Sequence, residues 1–251
     1  MRVLVLGQGK TGKLVSDVAA ERGHTVRGMD ITENEGARSL TAEFVRGFDV
    51  AIDFTTPQAV VENMKAVLGA GGRIVVGTTG WYAHLDEMKK LAAEKNAGLL
   101  YGTNYSIGVQ VTMELVAALG KALKGAGYTY SLSETHHTSK LDAPSGTAIT
   151  MQQTLAGVDA AGATFEIVSH RVGDASGLHE LEARSEADRI VLKHEAFNRR
   201  GFALGAVRAA EWLNGRTGAY DFRDVFHQVF GDAAAEKLPE RAKVGGIITP
   251  Q

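Results

Sequence analysis

A short apolar strand running straight into a glycine loop constrains this chain more than any other feature. Residues 2 to 6, RVLVL, are apolar and β-branched, and GQGKTG follows at once. From Thr11 the pattern turns helical, with Leu14, Val15, Val18 and Ala19 at i, i+1, i+4 and i+5 on one stripe. A second short strand, HTVRGMD, spans residues 24 to 30. The alternation goes on: strands at 49–55, 73–79 and 98–102, with helical stretches at 58–69 and 84–95 between them. Short apolar strands alternating with helices predict a parallel sheet covered on both faces.

After about residue 108 the texture changes. Residues 109–124 read as a long helix and 128–137 as an alternating strand. Residues 165–173, 179–187 and 188–197 read as strands with few helices between them. HELEARSEA alternates polar and apolar residues, as in a sheet with one wet face. The final helical stretches are 202–215 and 221–231, the last expected to pack back on the first domain. The fold class is therefore α/β: an N-terminal Rossmann-like dinucleotide-binding domain, residues 1–107 plus 217–251, and a C-terminal α+β substrate domain with a mixed sheet, residues 108–216.

Composition narrows the function. The 251 residues carry a formal net charge of −2, which gives no electrostatic reason to expect a nucleic-acid or acidic-membrane partner. With no cysteine, a thiolate nucleophile and a Cys-based zinc or iron–sulfur site are excluded. The N-terminal apolar run is only four residues, too short for the core of a signal peptide, and no run reaches the roughly 18 apolar residues of a membrane helix. A soluble, cytoplasmic protein is expected.

Gly7-Gln8-Gly9-Lys10-Thr11-Gly12 matches G-x-G-x-x-G, a weak signal alone. Here it follows a strand, opens a helix and precedes Asp30 at the end of the second strand, the context that gives the pattern meaning. Gly7 serves the tight turn, Gly9 the approach of a pyrophosphate, and Gly12 close helix packing; the helix N-terminus favours the phosphates. Asp30 is placed to accept hydrogen bonds from the adenine ribose. Its carboxylate repels a 2′-phosphate and Ile31 follows it, so NADH is the favoured cofactor. Lys10 and Arg38 keep NADPH open. Gly77-Thr78-Thr79 with Gly80, and Thr103-Asn104-Tyr105-Ser106, both follow strands, where ligands of open α/β sheets bind. They are expected to line a nicotinamide pocket, with Tyr105 either stacked on the ring or an ordinary core tyrosine.

The densest chemistry lies in ETHHTSKLDAPSGTA, residues 134 to 148. His136 and His137 end a predicted strand, so they should point to opposite sides. Lys140 lies within reach of the same pocket. A metal is the first competitor, with Glu134 and Asp142 near, but no third clear ligand appears and no metal is expected. Ser145 is placed to cap a helix, and the N–H groups of Ser145, Gly146 and Thr147 would form an anion site. With Lys140 and an imidazolium beside them, the expected ligand is a small dicarboxylate.

These residues resemble the 4-hydroxy-tetrahydrodipicolinate reductase (dihydrodipicolinate reductase) family of the diaminopimelate and lysine pathway. The E-x-H-H-x-x-K-x-D-A-P-S-G-T-A block stands intact at Glu134 to Ala148. Further blocks include Asp53-Phe54-Thr55 with Pro57, Gly77 to Gly80, Asn104 to Ser106, Arg171 with Gly173, Gly177 with His179, and Gly205 to Ala210 with Trp212. The resemblance implies that His136 donates or relays a proton and that Lys140 is its partner and a carboxylate clamp. It implies His137, Ser145, Gly146 and Thr147 as substrate contacts, and Gly7 to Gly12, Asp30, Gly77 to Thr79 and Thr103 to Ser106 as the cofactor shell. It also implies a homotetramer built through the substrate domain's sheet. The chain departs from the family in a shorter first loop with Lys10 for arginine, in Tyr105 for phenylalanine, and in Ile31 for a basic residue. These departures bear on the choice between NADH and NADPH. Another two-domain nicotinamide enzyme and a non-catalytic dinucleotide sensor remain the rival readings.

Overall fold

The structure, a computed structural model, describes residues 1–159 and 165–234. Two sheets organise it. The first has six strands: β1 (Arg2–Leu6), β2 (Thr25–Met29), β3 (Val50–Asp53), β4 (Arg73–Val76), β5 (Gly98–Tyr101) and β10 (Gly218–Asp221). Their order is β10-β5-β4-β3-β1-β2, and every pairing is parallel. β3 and β5 are buried at every residue, and β1 and β4 at all but the first. That is the signature of strands with helices on both faces, and it explains why they read as unbroken apolar runs. One face packs against α1 (Lys10–Glu21), α7 (Arg200–Leu213) and α8 (Phe222–Ala234). The other packs against α3 (Pro57–Gly69) and α4 (Leu85–Glu94), with the short α2 (Ala42–Arg46) at its margin.

The second sheet has four strands: β6 (Thr129–His136), β7 (Ile167–Arg171), β8 (Leu178–Arg184) and β9 (Arg189–Glu195), in the order β7-β6-β8-β9. It is mixed: β6 pairs β7 in parallel and β8 antiparallel, and β8 pairs β9 antiparallel. Burial alternates along β6 and β8 because only one face meets a core, formed with α5 (Ile107–Leu123) and α6 (Gly146–Ala156). The other face carries the half-exposed Val168 and Val191.

Two features depart from the expected elements. The strand GAYD of β10 has no alternating or β-branched pattern; its pairing with Gly98–Tyr101 of β5 makes it a strand. Helix α7, read from sequence as the end of the substrate domain, buries Ala203, Ala206, Val207, Ala210 and Leu213 with Val3, Val5 and Ile52 of the first sheet. The chain's return to the first unit thus begins with α7. Residues 235–251, expected to belong to that unit, lie outside the described residues.

Candidate active site

The carboxyl ends of β1, β3, β4 and β5 open onto a run of connected clefts. The glycine loop forms the first wall. Gly7 has φ +88°, and a Cβ there would meet the Phe54 carbonyl at 2.3 Å. A Cβ on Gly12 would lie 1.8 Å from the Gly7 carbonyl, so α1 can start this close to β1 only with glycine. Gly9 instead faces open space: among the described residues nothing lies within 4 Å of where a Cβ would stand. It is the residue before α1, whose first N–H groups have no intrahelical partner. One end of this run is lined by Gly7, Gln8, Gly9, Asp30 and Ile31. Next along the run, Gly9, Lys10 and Thr11 face Gly77, Thr78 and Thr79. This chain of donors, with room at Gly9 for an anion, fits a dinucleotide.

A buried carboxylate holds the loops of that wall. Asp53, at the end of β3, is fully buried. Its Oδ1 accepts from Thr78 Oγ1 at 2.7 Å, Thr55 Oγ1 at 2.8 Å and the Thr55 N–H at 3.0 Å, and its Oδ2 accepts from Asn63 Nδ2 at 2.8 Å. Burial pushes this carboxyl up, against the hydrogen bonds from Thr78, Asn63 and Thr55. The Thr78 side chain is therefore committed to Asp53, and Thr79 is the exposed threonine of the pair.

Thr103 and Asn104 face the cleft where it meets the substrate domain. Tyr105 does not present its ring there. The ring is 2% exposed, packs 4.6 Å from Phe222, and its hydroxyl donates to the Val76 carbonyl at 2.9 Å. Of the two placements open to Tyr105, the structure shows the core one, where the aromatic face is buried against Phe222 and Phe54. Ser106 is also buried and caps α5, accepting from the Val109 N–H at 3.5 Å.

The fifteen-residue block forms the facing wall of a cleft of about 590 Å³. His136, His137, Lys140, Ser145, Gly146 and Thr147 all line it, opposite Thr79, Thr103 and Asn104. Asn104 Nδ2 lies 3.4 Å from Thr147 Oγ1, a direct tie between the two walls. His136 and His137 line one cleft rather than two sides of the sheet. β6 ends at His136, so the strand alternation does not extend to His137. His137 Nδ1 lies 2.8 Å from Ser139 Oγ.

Glu134 organises the block from beneath. It is completely buried, and its Oε1 accepts the Ser145 N–H at 3.0 Å and Ser169 Oγ at 2.8 Å. Burial opposes its charge, but the hydrogen bonds from Ser145 and Ser169 prevail and hold the carboxyl below its ordinary value. The Ser145 N–H is therefore spent inside the protein, which corrects the expected three-donor anion site. Gly146 and Thr147 remain at the N-terminus of α6, capped by Ser145 Oγ on the Ala148 N–H. Lys140 is engaged as well, by Asp142. Burial pushes the His136 imidazole down from its ordinary value, Lys140 and Arg171 push the same way, and Glu134 opposes them.

Three contributors were not singled out as site residues from sequence. His179 brings its Nε2 to 3.4 Å from His136 Nε2. Arg171 donates to the Lys140 and Asp142 carbonyls and so braces the loop. Arg199, ahead of α7, lines the cleft beside the glycine loop, the one holding the fifteen-residue block and the junction between them, and no side chain among the described residues pairs with it. Only the G-x-H and R-x-G fragments signalled the first two; nothing local signalled Arg199.

A dinucleotide groove opening onto a cationic, histidine-bearing cleft defines a two-domain nicotinamide-dependent oxidoreductase. Family models for dihydrodipicolinate reductase match residues 1–105 (N-terminus) and 108–226 (C-terminus), and the chain belongs to that family. A 4-hydroxy-tetrahydrodipicolinate reductase from Christiangramia forsetii is 32% identical over 243 residues, covering 92% of this chain and 99% of that protein. One from Chromohalobacter salexigens is 34% identical over 232 residues, covering 82% and 86%. A dipicolinate-bound dihydrodipicolinate reductase from Paenisporosarcina sp. TG-14 shares the fold, with TM-score 0.73 at 23% identity over 90% of this chain and 99% of that one.

Proposed function

We propose that this chain reduces the cyclic imine dicarboxylate derived from 4-hydroxy-tetrahydrodipicolinate to tetrahydrodipicolinate, with NADH as the preferred reductant. The observation that carries this reading is one cleft holding Thr79 and Asn104 from the dinucleotide side and His136, Lys140, Gly146 and Thr147 from the other. A bound reduced nicotinamide supplies a hydride to C4 of the conjugated ring. The chain's residues bind the carboxylates and deliver the proton that C3 then needs. His136 is the acid. Its Nε2 is turned toward Glu134 and His179, which leaves Nδ1 to carry the proton to the substrate. Lys140, the α6 N-terminus and Arg199 hold the carboxylates and offset growing negative charge.

The NADH preference rests on the exposed Asp30 carboxylate followed by Ile31, 56% exposed. Arg38, one of the two cations that could serve a 2′-phosphate, is paired with Glu35, which leaves Lys10. Self-association through the uncovered face of the second sheet is expected to give a homotetramer, which light scattering after gel filtration tests. Among the described residues no helix is long and apolar enough to cross a membrane; residence in the cytoplasm is part of the proposal.

The deciding experiment follows loss of reduced-cofactor absorbance with freshly made substrate from the preceding synthase, with NADH and NADPH in parallel. Substrate-dependent oxidation, with the larger kcat/KM for NADH, is expected. Cofactor binding without turnover would overturn the reductase reading in favour of a sensor. A larger kcat/KM for NADPH would overturn the role given to Asp30 and Ile31.

A further inference from the structure

Beneath the cleft, three donor atoms converge and no good hydrogen bond closes the gap between them. His136 Nε2 lies 3.4 Å from His179 Nε2 and 3.4 Å from Glu134 Oε2, and His179 Nε2 lies 3.7 Å from that same oxygen. These separations exceed the usual 2.7–3.2 Å of N–H···O bonds. They match the edges of a coordination tetrahedron. Raised out of their plane, as a tetrahedron with a fourth ligand requires, an ion would lie about 2.1–2.2 Å from each atom, within about 0.2 Å of the zinc bond lengths to imidazole nitrogen and carboxylate oxygen. We propose that Glu134, His136 and His179 form a site for an exchangeable zinc-class divalent ion, whose fourth position opens toward the substrate cleft.

The chemistry of the set supports this. Two imidazoles and one carboxylate suit Zn²⁺ or Co²⁺ and discriminate against Mg²⁺ and Ca²⁺, which need more oxygens. All three residues are buried, and Glu134 is held in place through Oε1 by Ser169 and the Ser145 N–H. His136 and Ser145 line the cleft, which gives an ion a path in, and the 3.2 Å contact of Ser145 Oγ with His179 Nε2 is one that an ion would displace.

Two features mark the site as exchangeable rather than resident. Among the described residues His179 Nδ1 has no hydrogen-bond partner, so the proposed ligand lacks the outer-shell acceptor that strengthens metal binding. The Arg171 guanidinium, 3.5 Å from Glu134 Oε1, adds positive charge nearby. Occupation has one functional consequence, which rests on the acid role proposed for His136. An ion on Nε2 prevents the imidazolium from forming, so the enzyme is inhibited reversibly. The sequence did not reveal the set because its third ligand stands 43 residues from His136.

The test is a Co²⁺ titration of the full chain, free of substrate and cofactor, followed by visible absorption. One ion per chain with the ligand-field bands of tetrahedral Co²⁺ is expected, with Zn²⁺ displacing it and Mg²⁺ not. His179→Asn and Glu134→Gln should each weaken binding by at least about 100-fold, since even outer-shell losses cost 10–100-fold. A His84→Gln/His227→Gln variant, which removes two exposed His–Glu pairs, should bind as the parent does. His179→Cys separates ligand loss from misfolding: it should still bind Co²⁺ and gain a thiolate-to-cobalt charge-transfer band. The chain has no other cysteine, so that band can come only from position 179. No saturable binding below millimolar Co²⁺, or binding unchanged in the His179→Asn and Glu134→Gln variants, overturns the site. Reductase activity measured in parallel reports separately: bound Co²⁺ without inhibition overturns the inhibitory consequence, whereas a metal-free enzyme that fails to turn over counts against the reductase reading alone.

Discussion

Lys140 Nζ lies 2.7 Å and 2.8 Å from the two carboxylate oxygens of Asp142, so the cation proposed to hold the substrate is already held by a neighbour two residues on. Lys140 is mostly buried and Asp142 largely exposed, with side-chain exposures of 22% and 57%. Asp142 is held below its ordinary value by the Lys140 hydrogen bond. An incoming carboxylate must displace it. A pair with one partner this exposed is screened by water and contributes about 0–1 kcal/mol, so Asp142→Asn is expected to lower the substrate KM by no more than about fivefold and leave kcat near the parent value. A raised KM would mean that Asp142 positions Lys140 rather than competing for it; steady-state kinetics decides.

His136→Gln and Lys140→Ala are each expected to lower kcat by about 10²–10⁴-fold, the usual cost of a positioned acid or its partner. Neither touches the glycine loop, so NADH affinity, read by fluorescence titration, should barely move. His137→Ala should act mainly on KM, because His137 lines the cleft without joining the Glu134–His179 cluster. Unchanged kcat in both of the first two variants would remove these residues from the chemistry.

The pH profile follows from the environment of His136. The acid must be protonated, and burial first, then Lys140 and Arg171, depress its affinity for a proton in the free enzyme. kcat/KM, which reports the free enzyme, should therefore be high in acid and fall as pH rises through a value below the ordinary histidine value of about 6.5. A bound dicarboxylate favours the imidazolium, so the corresponding limb in kcat should lie at higher pH. Measurement in buffer containing a chelator keeps metal binding out of the profile. A kcat limb at or below that of kcat/KM would contradict the assignment.

Two glycine variants separate fold from binding. Gly12→Ala drives a Cβ into the Gly7 carbonyl and should lower the unfolding midpoint by the equivalent of about 1–3 kcal/mol, the typical cost of overpacking. Gly9→Ala meets no atom of the described residues and has φ −70°, which alanine adopts freely. It should leave the thermal midpoint unchanged while weakening NADH binding about tenfold or more, because the added methyl occupies the space open to the pyrophosphate. Equal effects of the two variants on both readouts would argue against phosphate binding at Gly9.

Much of the fold was legible because local pattern and tertiary role agree. β1, β3, β4 and β5 are apolar throughout because both faces are covered, whereas β6 and β8 alternate because one face is wet. GAYD of β10 has neither pattern and becomes a strand only by pairing with β5. Tyr105 followed a strand end as a ligand contact would, yet its ring turned inward, a choice between core and cleft that no neighbouring residue announces.

The sequence by itself determined the glycine loop, Asp30 and the fifteen-residue block, because each depends on residues adjacent in the chain: a turn, a cap, a strand end. The tertiary structure alone decided that His179 stands against His136, that the Ser145 N–H belongs to Glu134, and that Arg199 lies where three clefts meet. Those relations depend on sheet pairing and on helix packing across the chain. In β6 and β8 the pairing sets Glu134 opposite His179, and no local spacing encodes that register.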